Sequence, residues 1–286
     1  MNATTLVNGL LMGGLYALVA LGLSLVFGVL RLINLAHGVL VVGGAYGALE
    51  ATRLLHVGPF VALPLVVVVA AVVGYLLQRL VLTNLLLKGP EAGIVGTFGL
   101  AVLGEAAFAA GFTSNGNSLE SSVATASITI GGVTLEMVLV VACSLAVVLA
   151  VLLELGLKRT RAGSVLRAAA KDPATAELMG IDVRKVFALT VALASALAAV
   201  AGVLYGVASS FSPTSDTSLL LIAVAVVVVG GVGNVTGTLV AGLAVGLVQA
   251  VSVGLFGGGY SDFTVYLLFF VVLVLRPTGL LGRGAL

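Results

Sequence analysis

Residues 15–51 read "LYALVALGLSLVFGVLRLINLAHGVLVVGGAYGALEA". Two apolar runs flank the short stretch 31–38, which carries an arginine, an asparagine and a histidine. That stretch is too short and too greasy for a comfortable polar loop. If both flanks cross a bilayer, the break is a polar interruption at membrane depth, where irregular backbone is tolerated only against protein or water.

Composition supports a membrane setting. Hydrophobic residues make up 60% of the 286, charged residues 8%, and the mean hydropathy is +1.28. A soluble domain carries about 25% charged residues, so lipid must cover most of this surface. The 38 glycines and 6 prolines suit close-packed transmembrane helices. The single Cys143 excludes an intrachain disulfide, and His37 and His56 lie too far apart in sequence to suggest a metal site. "MNATTLVNGLLMGG" (1–14) has no basic residue before the first apolar run. That run is longer than a signal-peptide core, so a retained first helix is expected.

A spanning helix needs about 20 apolar residues. The expected segments are 7–30, 36–53, 60–82, 93–112, 134–157, 185–208, 218–232, 235–256 and 262–276. The fold class is therefore all-α and polytopic, with about 8–10 transmembrane helices. Segments 218–232 and 262–276 are short, and 218–232 is the one expected to be re-entrant if any is. Seven of the 13 basic residues (Lys158, Arg159, Arg161, Arg167, Lys171, Arg184 and Lys185) fall between the fifth and sixth segments, which places that loop in the cytoplasm. The same topology puts Arg31, Arg79, Lys88, Arg276 and Arg283 inside and only Arg53 outside. It sets the N-terminus outside and the C-terminus in the cytoplasm.

"GVLVVGGAYGALEA" (38–51) aligns with "GTLVAGLAVGLVQA" (237–250), matching glycines included. Each copy follows an asparagine, Asn34 or Asn234, that could cap a helix start. Two repeated halves are expected, about 7–112 and 185–276, as in many transporters. Capping alone explains both asparagines; the functional alternative is that these helix starts line a transport path. His37 and Gly38 open the second segment, where His37 either ties the break to a neighbouring helix or contacts a gate or substrate. Glu105 lies inside an apolar run and must be paired, protonated or facing water. Glu50 and Arg53 are spaced for a local pair. Gly9/Gly13, Gly43/Gly47 and Gly242/Gly246 are G-x-x-x-G pairs that permit close helix crossing, within this chain or against a second one.

In the basic loop, 158–185, "KDPATAELMGID" predicts a two-turn helix. Asp172 is its N-cap, Pro173 its first residue and Gly180 its stop. Such a helix suits docking into another protein's groove or lying on membrane lipid. No G-x-x-x-x-G-K-[ST] occurs, so any ATP hydrolysis must come from another subunit.

"GLSLVFGVLRLINLAHGVLVVGGAYGA" (22–48) resembles the opening of the permease family of branched-chain amino acid ABC importers. "RAAAKDPATAELMGIDVRKVFALTVALASALAAVAGVLYG" (167–206) looks like its cytoplasmic loop and the following helix, and "GGVGNVTGTLVAGLAVGLVQA" (230–250) and "LRPTGLLG" (275–282) look like its C-terminal signatures. The resemblance implies one permease domain over 1–286, a bacterial or archaeal plasma-membrane location, and transport of branched-chain amino acids or a related small polar solute. It implies a second related permease, identical or not, two cytoplasmic ATPases and an extracytoplasmic solute-binding protein. ATP and magnesium would sit in the ATPases, with no cofactor in this chain and no nucleic-acid partner. The coupling residues by this resemblance are Asp172, Pro173, Ala176, Glu177, Gly180 and Asp182. "ATAELMG" (174–180) keeps only Ala176 and Gly180 of the general E-A-A-x-x-x-G importer pattern. The alternative from the residues alone is an ion-coupled carrier working without ATPases.

Overall fold

Apolar length and small residues shape the molecule. The computed structural model describes residues 3–86, 89–112, 116–276 and 278–282; Lys88 and Arg283 lie outside them. The helices are α1 (Ala3–Leu30), α2 (His37–Leu55), α3 (Pro59–Leu77), α4 (Thr83–Leu86), α5 (Pro90–Gly111), α6 (Ser122–Thr125) and α7 (Met137–Arg159). There follow α8 (Arg161–Lys171), α9 (Pro173–Leu178), α10 (Val183–Ala208), α11 (Ser215–Gly230), α12 (Val235–Phe256) and α13 (Ser261–Leu275). A π-helical turn, Gln78–Leu82, joins α3 to α4 as one apolar rod. Eight helices among the described residues are long and apolar enough to cross a membrane, and α11 is a shorter apolar helix. The chain is an all-α, multi-pass membrane protein.

The expected spans agree with these helices to within four residues at each end. Two local features were not expected. Residues 127–136, expected as loop and helix start, form an antiparallel hairpin, β1 (Ser127–Ile130) with β2 (Val133–Glu136). Its turn is Gly131–Gly132, both with positive φ, as a two-residue hairpin of this hand requires. The basic loop also holds α8 ahead of the expected short helix.

α1 and α10 form the buried centre. α1 packs along α12 and α10 along α3; α1 and α10 touch each other, and α2 and α11 fill the space beside them. α3, α5 and α13 are largely exposed and make the perimeter.

Lipid tails are as apolar as leucine, so helices in a bilayer associate through close fit and hydrogen bonds rather than through the hydrophobic effect. The α1–α12 crossing shows this. Gly9 and Gly13 of α1 face Gly242 and Gly246 of α12, and a Cβ on Gly13 would sit 2.5 Å from the Gly242 carbonyl oxygen. Thr238 Oγ1 donates to Ser24 Oγ at 2.9 Å, and the Tyr16 hydroxyl to Gln249 Oε1 at 2.6 Å. These two G-x-x-x-G pairs are therefore spent inside this chain. Gly43 and Gly47 behave differently: they face the Phe108 and Val66 side chains. The close approach of α2 to α10 runs through Gly44, where a Cβ would lie 2.6 Å from the Ala199 Cα.

Gly246→Val should lower stability by about 1–3 kcal/mol by overpacking the α1–α12 crossing. Gly99→Ala, where an added Cβ meets nothing within 4 Å, should leave it unchanged or slightly raised. Thermal unfolding in detergent distinguishes the two.

Candidate functional site: two broken helix starts

α1 ends at Leu30, and Arg31 turns the chain with φ 52°. The linker 31–36 then runs back along α1 before α2 begins at His37. His37 Nε2 bonds the Val19 carbonyl at 2.8 Å, and the ring is fully buried. Val19 lies eleven residues before the end of α1, about 16 Å along its axis. The start of α2 thus sits near the middle of the bilayer. This hydrogen bond joins the start of α2 to α1.

A second linker of the same length, 209–214, joins α10 to α11. α11 begins beside α2: a Cβ on Gly38 would run into the Asp216 carbonyl oxygen. The two helix starts abut, and only glycine leaves room for the backbones to meet. Asp216, in the first turn of α11, is 5% exposed and accepts a hydrogen bond from Thr217 Oγ1 at 3.4 Å. The Ser212, Thr214 and Ser215 hydroxyls cluster beside it, with oxygen separations of 3.0–3.3 Å. Glu105 of α5 is half-buried and is an electrostatic neighbour of Asp216. Acids and hydroxyls at this depth mark a functional site by default. Helix N-termini aimed at it add partial positive charge.

Farther along α2, the Tyr46 ring stacks on Phe108 and Phe112 at 5.0 and 4.2 Å and meets Phe211 edge-on at 5.0 Å. Phe211 belongs to the linker and exchanges two 2.8 Å backbone hydrogen bonds with Asn117. This cluster lies about 14 Å along α2 from His37. Beside it, α2, α3 and α5 border an apolar cavity of about 540 Å³.

The structure brings His37, Gly38 and Glu105 to the α11 start, with Asn34 in the adjoining linker. Asn34 does not cap α2. Its Oδ1 accepts from the Ala36 N–H at 3.1 Å in a tight turn, and α2 starts without a side-chain cap. The physical reason is position: Ala36 holds the cap place, and Asn34, three residues before His37, closes a turn in which its carbonyl accepts from the His37 N–H at 3.1 Å. Asn234 does cap α12, accepting from the Gly237 N–H at 2.9 Å, and its amide donates to the Leu281 carbonyl at 2.8 Å. Its neighbour Gly233 packs on Gly28, at the end of α1. Asn234 is therefore about 14 Å along α1 from the His37 break, and the two asparagines do different work at different depths.

The loop residues gather elsewhere. Asp172 caps α9, accepting from the Thr175 N–H at 3.2 Å and the Thr175 hydroxyl at 2.5 Å. Those bonds hold its carboxyl below the usual carboxylate range. A depressed acid stabilises above its unfolded pKa, so this cap is present at neutral pH and is lost as acid protonates it. Pro173 opens the helix, and Gly180, φ 83°, ends it, with the Ile181 N–H donating to the Ala176 carbonyl at 3.0 Å. Ala176 is buried against Ala169 and Val183, and Asp182 caps α10, accepting from the Lys185 N–H at 3.0 Å. Glu177 is exposed. Beside it, Leu178 and Met179 stand 88% and 78% exposed on the tip.

Three residues escaped the sequence reading. Asp216 falls outside the segment that starts at 218, although "SPTSDTS" (212–218) is a run of cap residues before an apolar segment. Leu178 and Met179 gave no signal, since only the fold shows that they point away from everything.

Broken helices meeting at mid-depth inside a bundle of spanning helices define a membrane permease. The family model described as "Branched-chain amino acid transport system / permease component" matches residues 5–275. The chain belongs to this family. It is 30% identical to the high-affinity branched-chain amino acid transport system permease protein BraD of Pseudomonas aeruginosa, covering 97% of this chain and 95% of that one. It is 29% identical to the high-affinity branched-chain amino acid transport system permease protein LivH of Escherichia coli, over 96% of this chain and 94% of that one. A probable permease of this kind from Methanocaldococcus jannaschii is 28% identical over 96% and 91%. No solved structure matches.

Asn234→Ala removes a cap and a tail contact together and should cost about 1–2 kcal/mol. Asn234→Asp keeps the cap oxygen and loses the amide donor to Leu281, so it should fall between. Thermal unfolding and the rate of C-terminal proteolysis measure both.

Proposed function

We propose that this chain is the permease subunit of an ATP-driven importer for branched-chain amino acids or a related small polar solute. One observation carries the reading: a short helix, capped at both ends, holds Leu178 and Met179 out on the tip of the most basic loop. An apolar knob on a stiff mount is what a docking groove on another protein requires. The chain has no phosphate-binding loop, so the ATPases would be separate subunits, carrying the ATP and magnesium.

In this reading the basic loop is cytoplasmic, with the N-terminus outside and the C-terminus inside. A second permease, identical or related, completes the path, and an extracytoplasmic binding protein delivers the solute. The path passes the abutting starts of α2 and α11. There the helix N-termini favour a carboxylate and Asp216 with Glu105 favours an ammonium, a combination suited to an amino-acid zwitterion.

The packing also suggests a different pairing of halves from the one aligned in the sequence. α1–α2–α3 pairs with α10–α11–α12: each set has a central helix, a six-residue linker and a helix starting at mid-depth. If every helix crosses once, these halves run in opposite directions. The alignment of 38–51 with 237–250 then reflects shared glycine spacing rather than equivalent positions.

Reconstitution tests the proposal. Proteoliposomes holding this permease, its partner, both ATPases and the binding protein should take up labelled leucine only with ATP. Uptake by this chain alone under an ion gradient would overturn the reading in favour of an ion-coupled carrier. Leu178→Asp and Met179→Asp should each weaken ATPase docking about tenfold or more, since each removes a buried apolar side chain from the contact. Co-purification yield and stimulated ATPase activity report it. Asp216→Asn should cut uptake while ATPase docking stays intact.

A further inference from the structure

α7 and α10, with α8 across one end, enclose a second apolar groove of about 500 Å³. Leu152 and Gly156 of α7, Leu189 and Leu193 of α10, and Ala162 and Val165 of α8 form its walls. It extends over residues 149–157 of α7 and 186–197 of α10, about 12 and 16 Å of helix. That is half of a hydrocarbon core about 30 Å thick, the depth of one leaflet. A spanning helix of another subunit would need a seam along the whole core.

The mouth of this groove is basic. Lining residue Thr160 sits between Arg159 and Arg161, and lining residue Val186 follows Arg184 and Lys185. All four basic residues are exposed, and among the described residues none is in an ion pair. Three nearby acids are engaged in other contacts, and Glu177 lies on α9, no residue of which lines the groove. Glu154 holds Lys158 and Thr236, while Asp172 and Asp182 cap α9 and α10. On α8, Arg167 donates from Nη2 to Ser164 Oγ at 3.3 Å, but its Nη1 is buried and unpaired.

The geometry points to a binding site for one anionic glycerophospholipid of the leaflet on the basic side, with an acyl chain in the groove and the phosphate against Arg159 and Arg161. Length, apolar walls and a one-sign rim at the interface together select this occupant. A neutral lipid would leave the rim unmatched. Because α8 forms one wall and continues into α9, an occupied groove would brace the base of the exposed tip.

The test uses the full chain in phosphatidylcholine proteoliposomes, alone and with its ATPase subunits, containing a photoactivatable phosphatidylglycerol. Labelled peptides should concentrate on 149–166 and 186–197, above the level on lipid-facing α3, α5 and α13. Gly156→Leu places its side chain where an added Cβ meets nothing within 4 Å, so it should fill the groove and abolish this labelling without disturbing the fold. Arg159→Gln with Arg161→Gln should lower the preference for phosphatidylglycerol over phosphatidylcholine roughly 30-fold, as expected for two basic residues beside an anionic headgroup. Uniform labelling of all exposed helices, or a preference indifferent to the two arginines, would overturn the assignment. So would a crosslink from Leu152→Cys to the second permease, which would make the groove a protein interface.

Discussion

A backbone group inside the bilayer has no water to bond, and that constraint bears hardest on the starts of α2 and α11. Unsatisfied N–H groups at a helix start would each cost several kcal/mol in hydrocarbon. This chain meets the demand by placing both starts in the protein interior, against each other and against α1 and α10. The Asn34 carbonyl accepts from His37 N–H, the Asn34 side chain accepts from Ala36 N–H, and Asn117 pairs with Phe211 in the second linker. His37 then fixes the first start to the α1 carbonyl of Val19. The central position of α1 and α10 follows from this, because only fully surrounded helices can shield such breaks.

Shielding requires close fit, and small residues supply it. Glycine faces glycine where α1 crosses α12, and Gly44 meets Ala199 where α2 crosses α10. These approaches bring backbones within reach of the few polar side chains that hold the bundle, such as Ser24 with Thr238. The perimeter helices meet the same demand only on their inner faces, as where Gly74 of α3 packs on Ser195 of α10, and their outward faces are apolar. The sequence divides accordingly: glycine stands at the close crossings of the interior as well as in turns, and most charge lies at helix ends and in loops.

This division explains what could be read from the chain alone. Spans, the capped loop helix and the local Glu50–Arg53 pair, at 3.2 Å, are set by residues near one another in sequence, so composition and spacing reveal them. The meeting of Gly38 with Asp216 is not of that kind. It joins two breaks far apart in the chain, and nothing in "RLINLAH" names the partner. The repeat alignment of 38–51 with 237–250 rests on a signal of a related kind. Glycine spacing records that a helix is approached closely, not which helix approaches it, so α2 and α12 look alike while packing on different neighbours. Leu178 and Met179 illustrate the opposite limit: an apolar residue reads as interior until the fold leaves it outside.

The exposed tip and the buried breaks are joined by one element. α10 starts at the Asp182 cap, two residues after Gly180, and runs 26 residues, about 39 Å, to the linker that sets α11 against α2. Along that length it packs on α1, α2 and α3, and its base meets Ala169 and Ala176 through Val183. If a partner docks on α9 as proposed, its displacement would reach a rigid helix rather than a flexible loop. Packed interfaces of this kind resist gradual deformation, so we infer that α10 carries the push to the linker. The abutting starts of α2 and α11 lie at the end of that linker, where such a push would be expressed as opening.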